Sequence, residues 1–252
     1  MIRKTFVLLA CAVTISCISS CATLENRKIR AKSIRTIGEE YINKRDYTLA
    51  LRELLKAEEI YSKDPFLQYD LGLAYMGKGQ YPIAIDYFKK AIALKPDYST
   101  AKNDLGVTYM ANNQLDEAIA CFKEVKNDLL YFTPHFPISN MGWAYYYKKD
   151  YKTAEKYFIE ALMHQADFAQ AYRGLGLTYM AMGNISEAIV QLEKGIKKSP
   201  DFAILYYDLA KAYEASGNIQ NALNAYRKVV QLMPEDSPES EASANKIKRL
   251  TK

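Results

Sequence analysis

The strongest constraint on the fold is a pattern that occurs six times along the chain. A tyrosine returns at intervals of 34, 34, 36, 34 and 34 residues, and an alanine follows each one nine residues later. A glycine or alanine precedes each tyrosine by three residues. The tyrosines are Tyr41, Tyr75, Tyr109, Tyr145, Tyr179 and Tyr213. A fixed period of this length predicts similar supersecondary units that stack on one another.

Each unit is predicted to be a helical hairpin, because it holds two apolar stripes at helical spacing. In the second unit, Leu71 and Tyr75 mark the first helix, and Ala84 and Phe88 mark the second. A small residue such as Gly72 allows the two helices to cross closely. Turn residues separate the stripes, and a proline follows three of the hairpins, at Pro96, Pro200 and Pro234.

The pattern resembles the tetratricopeptide repeat (TPR), which has the same period. The resemblance covers about residues 31–236 and implies an all-α fold, a right-handed TPR solenoid of six helical hairpins. The repeats are expected to start near residues 31, 65, 99, 135, 169 and 203. Ser237 and Pro238 form a helix start signal, so residues 237–252 are predicted to be a C-terminal capping helix.

The first twenty residues are predicted to be a signal peptide. Arg3 and Lys4 precede a mostly apolar run, Thr5 to Ile18, which is too short for a membrane-spanning helix. Residues 18–21, Ile-Ser-Ser-Cys, resemble the lipobox of bacterial lipoproteins, which implies that Cys21 is lipidated and becomes the mature N-terminus. Residues 21–30 would then link the lipid to the repeats. The resemblance implies an outer-membrane anchor in the bacterial cell envelope, facing the periplasm. A plain secreted protein is the alternative.

The candidate binding surface consists of positions that face the concave groove in TPR proteins, the fifth, ninth and twelfth of each first helix. Here these positions are mostly apolar, and methionine can adapt to different shapes, so they suit an amphipathic or extended peptide. Packing against the next repeat is the alternative interpretation. We call this set the groove strip: Tyr69, Leu73, Met76, Asn103, Val107, Met110, Ser139, Trp143, Tyr146, Arg173, Leu177 and Met180. The last repeat is polar at Lys211 and Glu214.

One junction between repeats is longer than the others, because the 36-residue step adds two residues to the segment Asn127–Pro134, here called the junction loop. With Asp128, either Leu130 or Tyr131, and the Asn140–Gly142 stretch, it resembles the PilF/PilW-type lipoproteins of type IV pilus biogenesis, called pilotins. That resemblance implies a role in the localisation and multimerisation of a type IV pilus secretin. The alternative is a TPR lipoprotein adaptor for peptidoglycan enzymes or outer-membrane barrel assembly.

An enzyme is the third alternative, and the sequence offers little for it. Residues 72–79 nearly match a phosphate-binding loop, but Gly79 replaces the required hydroxyl residue. His135 and His164 are the only histidines, and neither has a metal-ligand partner at a typical spacing. The net charge of +5 is too small to indicate nucleic-acid binding. We therefore expect no catalytic residue, cofactor, metal or small-molecule substrate, and expect a protein partner and membrane attachment through the lipid.

Overall fold

In a computed structural model, the backbone is described for residues 2–251 and the side chains for residues 23–251. The signal peptide and the lipidation of Cys21 stay predictions, because their side chains lie outside that range. Helices are the only regular secondary structure among the described residues, and turns and loops connect them, which confirms the predicted all-α fold. The helices are α1 (Ile2–Asn43), α2 (Tyr47–Ile60), α3 (Pro65–Gly77), α4 (Tyr81–Leu94), α5 (Ser99–Ala111), α6 (Leu115–Lys126), α7 (His135–Tyr147), α8 (Tyr151–His164), α9 (Ala169–Ala181), α10 (Ile185–Lys198), α11 (Ala203–Ala215), α12 (Ile219–Leu232) and α13 (Pro238–Leu250).

The helices form hairpins, and the first helices of repeats two to six begin at residues 65, 99, 135, 169 and 203, where the sequence places the repeat starts. The chain divides into two compact units. Unit 1, Met1–Asn112, contains α1 to α5, and unit 2, Asn113–Lys252, contains α6 to α13. The division falls between the two helices of the third repeat.

Close helix crossings explain the small residue before each repeat tyrosine. A Cβ atom added at Gly72 would lie 2.7 Å from the ring of Phe88, and one added at Gly176 would lie 2.5 Å from Leu192. Phe88 and Leu192 are fully buried. The glycine leaves the space that the large residue of the second helix fills, so the alternation of small and large residues builds the same core in both units.

The turn within most hairpins contains a residue with a left-handed backbone. Gly79 has a φ of +71° and Gly183 a φ of +82°, values that glycine adopts without strain. Asn113 has a φ of 60° at the equivalent place. The residue after such a turn can cap the next helix: in the fourth hairpin, Asp150 accepts a hydrogen bond from the Thr153 backbone N–H at 3.2 Å and caps α8. These local signals end one helix and start the next.

The repeated tyrosines combine ring packing with a polar contact. The rings of Tyr75 and Tyr87 stack at 5.3 Å in unit 1, and Tyr145 stacks on Tyr157 at 5.4 Å in unit 2. The hydroxyl of another repeated tyrosine, Tyr179, donates to Glu155 at 2.6 Å. Because the hydroxyl reaches a carboxylate, a half-buried ring at these positions keeps its polar group satisfied, which accounts for part of the high tyrosine content.

The last helix covers the end of the sixth repeat, as the sequence predicts. Tyr226 and Ala210 are fully buried, and Ile247 and Leu250 of α13 pack against them. Lys246 donates to Glu214 at 2.6 Å and fixes α13 on α11. Among the described residues, no helix is long and apolar enough to cross a membrane.

Candidate functional site: the groove strip

In unit 1, four groove-strip residues are half-buried: Leu73, Met76, Val107 and Met110. The sulfur of Met76 accepts a hydrogen bond from the Thr108 hydroxyl at 3.2 Å, which connects α3 to α5. Met76 thus contributes to packing between first helices, and all four half-buried side chains retain apolar surface that a partner can contact.

Tyr69 and Asn103 of unit 1 differ from these four residues, because both donate a hydrogen bond to the Asp104 carboxylate. The Tyr69 ring packs 5.7 Å from Phe88, and its hydroxyl donates to Asp104 at 2.7 Å. Burial, followed by the charge of Asp104, raises the pKa of Tyr69 far above its usual range. Asn103 is buried and donates to the same carboxylate at 3.1 Å. Asn103 is thus buried at its groove position, whereas Tyr69 is half-buried with its hydroxyl held by Asp104.

In unit 2 the groove strip is aromatic. Trp143 is half-buried and meets Phe158 edge-on, with the ring centroids 5.2 Å apart. Tyr146 lies 5.7 Å from the Trp143 ring and is also half-buried. Ser139 is buried, whereas Leu177 and Met180 are half-buried. The open faces of these side chains form the apolar part of the candidate site.

Arg173 joins this aromatic group to α11. Its guanidinium lies 5.6 Å from the Trp143 ring, and its Nε donates to Asp208 at 2.7 Å. Lys211 contacts the other oxygen of Asp208 at 2.9 Å. Asp208 is only 1% exposed, so its charge is buried beneath two cations.

This contact belongs to a series of polar pairs that the sequence reasoning missed. Each pair joins the fifth position of one repeat to the sixth position of the next, an offset of 35 residues. The pairs are Arg35 with Asp70, Tyr69 with Asp104, and Arg173 with Asp208. A donor and an Asp at this fixed offset are visible in the sequence and could have identified them.

The first pair lies in an acidic cluster of unit 1. Arg35 is 3.4 Å from Glu39, 3.8 Å from Asp64 and 3.7 Å from Asp70. Asp70 is 5% exposed. Burial, then the nearby charge of Glu39, raises the pKa of Asp70 to about 8, although Arg35 opposes the shift. One guanidinium therefore faces three carboxyl groups.

The junction loop exposes large apolar side chains. Leu129 is 99% exposed and Phe132 is 98% exposed, and Leu130 is exposed as well. The turn is defined, because Asp128 accepts a hydrogen bond from the Leu130 backbone N–H at 2.9 Å. The loop is a second candidate contact surface, separate from the groove strip.

The two histidines lie at the same end of the α7–α8 hairpin, since His135 begins α7 and His164 ends α8. The His135 ring packs 4.8 Å from Phe168, and burial, followed by the charge of His164, lowers the pKa of His135. Across the residues with described side chains, no group of three or more His, Cys, Asp or Glu is placed to hold a metal ion.

Helical hairpins that present a strip of half-buried apolar side chains define an α-helical repeat scaffold. Models of the tetratricopeptide repeat match residues 69–128 and 139–194, residues 178–217, and residues 203–236. Together these matches cover more than half of the chain, so the chain belongs to the tetratricopeptide-repeat family and is a protein-interaction scaffold. The predicted TPR resemblance is confirmed. Among curated proteins, no sequence matches the chain.

Solved structures show the same fold. PilW, described as a widely conserved type IV pilus biogenesis factor, is 23% identical, with a TM-score of 0.74, over 85% of this chain and 98% of that one. Pseudomonas aeruginosa PilF is 17% identical, with a TM-score of 0.68, over 87% of this chain and 99% of that one. A TPR protein from Parabacteroides merdae is 16% identical, with a TM-score of 0.71, over 88% and 84% of the two chains.

Proposed function

We propose that this protein is a lipid-anchored scaffold of the outer membrane that binds a type IV pilus secretin subunit and assists its localisation and multimerisation. The observation that carries the proposal is the extent of the likeness to PilW, a pilus biogenesis factor, since the two chains align over nearly the whole of PilW. The lipobox at Cys21 and the lengthened junction loop, both read from the sequence, support the same role.

The groove strip is the proposed binding surface. In unit 2, the half-buried Trp143, Leu177 and Met180 offer apolar area beside the cation of Arg173. Burying such side chains stabilises a complex by about 1.5 kcal/mol or more for each one fully buried. Association opposes this with a cost of about 4–15 kcal/mol, which offsets most of the gain, so the strip alone does not give tight binding. The exposed Leu129, Leu130 and Phe132 of the junction loop are available as additional contacts.

The lipid anchor would make moderate affinity sufficient. Two lipid signals already give stable membrane attachment, and a tethered scaffold meets a partner at a raised effective concentration. The proposal therefore assigns localisation to the lipid on Cys21 and recognition to the repeats.

Deleting the gene and assaying secretin multimers tests the role. We expect the heat-stable multimers in the outer membrane to be lost, and the intact gene supplied in trans to restore them. Normal multimers in the deletion strain would contradict the proposal.

The anchor is tested by Cys21→Ser, with Cys17→Ser as a matched control in the same segment. We expect Cys21→Ser to prevent lipidation and remove the protein from the outer-membrane fraction, and Cys17→Ser to have no effect. Affinity capture of the anchored chain should then recover secretin. Recovery of peptidoglycan hydrolases or barrel-assembly proteins in its place would favour the adaptor alternative.

A further inference from the structure

A cleft of about 370 Å³ lies in unit 1 between α1 and the segment that connects α2 to α3. Three of the residues that line it are lysines, which are Lys28 and Lys32 on α1 and Lys63 before α3. We call it the lysine cleft. Ile29 and Tyr61 add apolar surface to its walls.

Two of the three lysines lack a negative partner. The carboxylates that line the cleft are engaged elsewhere, since Glu25 lies 3.6 Å from Lys28 and Asp64 lies 3.8 Å from Arg35. Among the residues whose side chains are described, no carboxylate forms an ion pair with Lys32 or Lys63. Both lysines are exposed. The cleft therefore presents unneutralised cations to an incoming anion.

The walls of the cleft are positioned before any ligand arrives. Arg27 joins α1 to the end of α2, because its Nε and Nη2 donate to the Ile60 carbonyl at 3.0 Å and 2.6 Å. The Lys28 ammonium lies 5.9 Å from the centroid of the Tyr61 ring. A preformed site loses less conformational entropy on binding, which favours recognition.

The position of the cleft along the chain indicates which anion it meets. The α1 backbone is helical from Cys21 to Lys32, and at about 1.5 Å per residue Lys28 and Lys32 lie about 10–17 Å along α1 from the predicted lipid attachment point. Headgroups extend about 5–7 Å beyond the hydrocarbon core of a bilayer. The potential of an anionic surface persists for about 8 Å more at physiological ionic strength. A lipid on Cys21 would thus hold the cleft within reach of phospholipid headgroups.

We propose that the lysine cleft binds the phosphodiester headgroup of an anionic phospholipid, with Lys32 and Lys63 contacting the phosphate and Ile29 facing the glycerol. The inference rests on the lipid anchor proposed above and adds a second contact with the bilayer. Charge complementarity selects the ligand, because a phosphate oxygen accepts charge-assisted hydrogen bonds from ammonium groups. A cation near an anionic membrane surface contributes roughly fivefold to binding.

The test measures lysine acetylation in the lipidated chain, reconstituted into phosphatidylcholine vesicles with or without phosphatidylglycerol. Mass spectrometry gives the rate at each lysine. We expect phosphatidylglycerol to slow the acetylation of Lys32 and Lys63 roughly fivefold, and high salt to remove the effect. Lys44 is the internal control, because it is exposed and follows the opposite end of α1. Its rate should be equal in both kinds of vesicle.

A double variant separates a cleft from a surface that is merely close to the bilayer. Phosphatidylglycerol should also protect Lys28, which lines the same cleft. Lys32→Gln with Lys63→Gln should abolish that protection, whereas Lys44→Gln should preserve it. Circular dichroism of the double variant verifies its fold. Protection of Lys28 that persists in the double variant would show diffuse attraction to the bilayer and overturn the cleft.

Equal acetylation rates of Lys32 and Lys63 in the two kinds of vesicle would also overturn it. So would equal protection of both lysines by inorganic phosphate in neutral detergent, which would assign the site to a free anion. Flotation with phosphatidylcholine vesicles reports the lipid anchor by itself. A chain that floats only with vesicles containing phosphatidylglycerol would support the cleft and contradict the anchor, and a chain that floats with neither would contradict both.

Discussion

The two units share the same arrangement of helical hairpins, glycine crossings and tyrosine stacks, here called the repeat frame. They differ in the charged side chains that lie on this frame. In unit 1, the 35-residue offset brings Arg35 to Asp70, but Glu39 and Asp64 are also present, so acidic groups outnumber the cation. In unit 2, the same offset brings Arg173 to Asp208, and Lys211 makes cations the majority. The glycine crossings and tyrosine stacks are alike in both. The repeat frame is thus common to both units, while positions five, six and nine give each unit a different balance of charge.

Filling a helix crossing tests whether the frame is shared. We expect Gly72→Leu in unit 1 and Gly176→Leu in unit 2 each to destabilise the protein by about 3 kcal/mol, because both side chains would overlap a buried neighbour. Urea titration followed by circular dichroism measures the loss. Gly183→Asn, in a left-handed turn with open space around it, is the control and should change stability little. A large loss in one unit only would show that the two frames differ.

Removing the buried carboxylate of unit 2 should be the next largest effect. Asp208→Asn leaves Arg173 and Lys211 without their anionic partner, so we expect a loss of about 2 kcal/mol in the free energy of unfolding. The same variant should weaken the contact of Arg173 with Trp143 and alter the tryptophan emission. A free energy of unfolding equal to that of the natural chain would show that the ion pairs of Asp208 do not stabilise the fold.

The corresponding substitution in unit 1, Asp70→Asn, should raise the free energy of unfolding near pH 8, whereas Asp208→Asn lowers it. The pKa of Asp70 is about 8 in the folded chain, whereas an unfolded Asp releases its proton near pH 4, so folding takes up a proton between these values. Stability contributed by protonated Asp70 is complete below about pH 4 and is lost as the pH rises through about 8. We expect Asp70→Asn to remove this slope and to stabilise the protein by about 1 kcal/mol at pH 8.

Unfolding titrations at pH 5 and pH 8 measure that slope. Asp86→Asn, an exposed change of the same kind in α4, should leave it in place. If Asp70→Asn destabilised the chain equally at both pH values, the acidic character assigned to unit 1 would be wrong.

The smallest effect on stability is expected in the junction loop. Leu129→Ser and Phe132→Ser alter side chains that project almost wholly into solvent, so the free energy of unfolding should change by less than about 0.5 kcal/mol. Secretin multimers, measured in strains that carry these variants, show whether the loop contributes to the partner contact. A stability loss comparable to that of Gly176→Leu would show that the loop packs against the protein.

The sequence predicted the repeat frame because the same local sequence signals occur in each repeat. The 34-residue spacing, glycine at the crossings and Asp or Asn at helix starts are local signals, and helices begin where those signals place them. It did not predict how much of the groove strip is open. Tyr69 occupies a groove position, but its hydroxyl binds Asp104 of the next repeat, and this contact depends on the distance between first helices. Asn103, at the equivalent position of the third repeat, donates to the adjacent Asp104. The sequence likewise gives no sign that Asp208 is buried, because its burial and its ion pair with Arg173 depend on the packing of α9 against α11.

The central claim is that first-helix residues contact the partner, and photocrosslinking in cells tests it most directly. A benzoylphenylalanine placed at Leu177, on the groove strip, is compared with one at Val190, an exposed residue of the second helix α10. The account predicts that Leu177 captures secretin and that Val190 does not. Capture from Val190 with none from Leu177 would place the partner on the other helices and contradict the account.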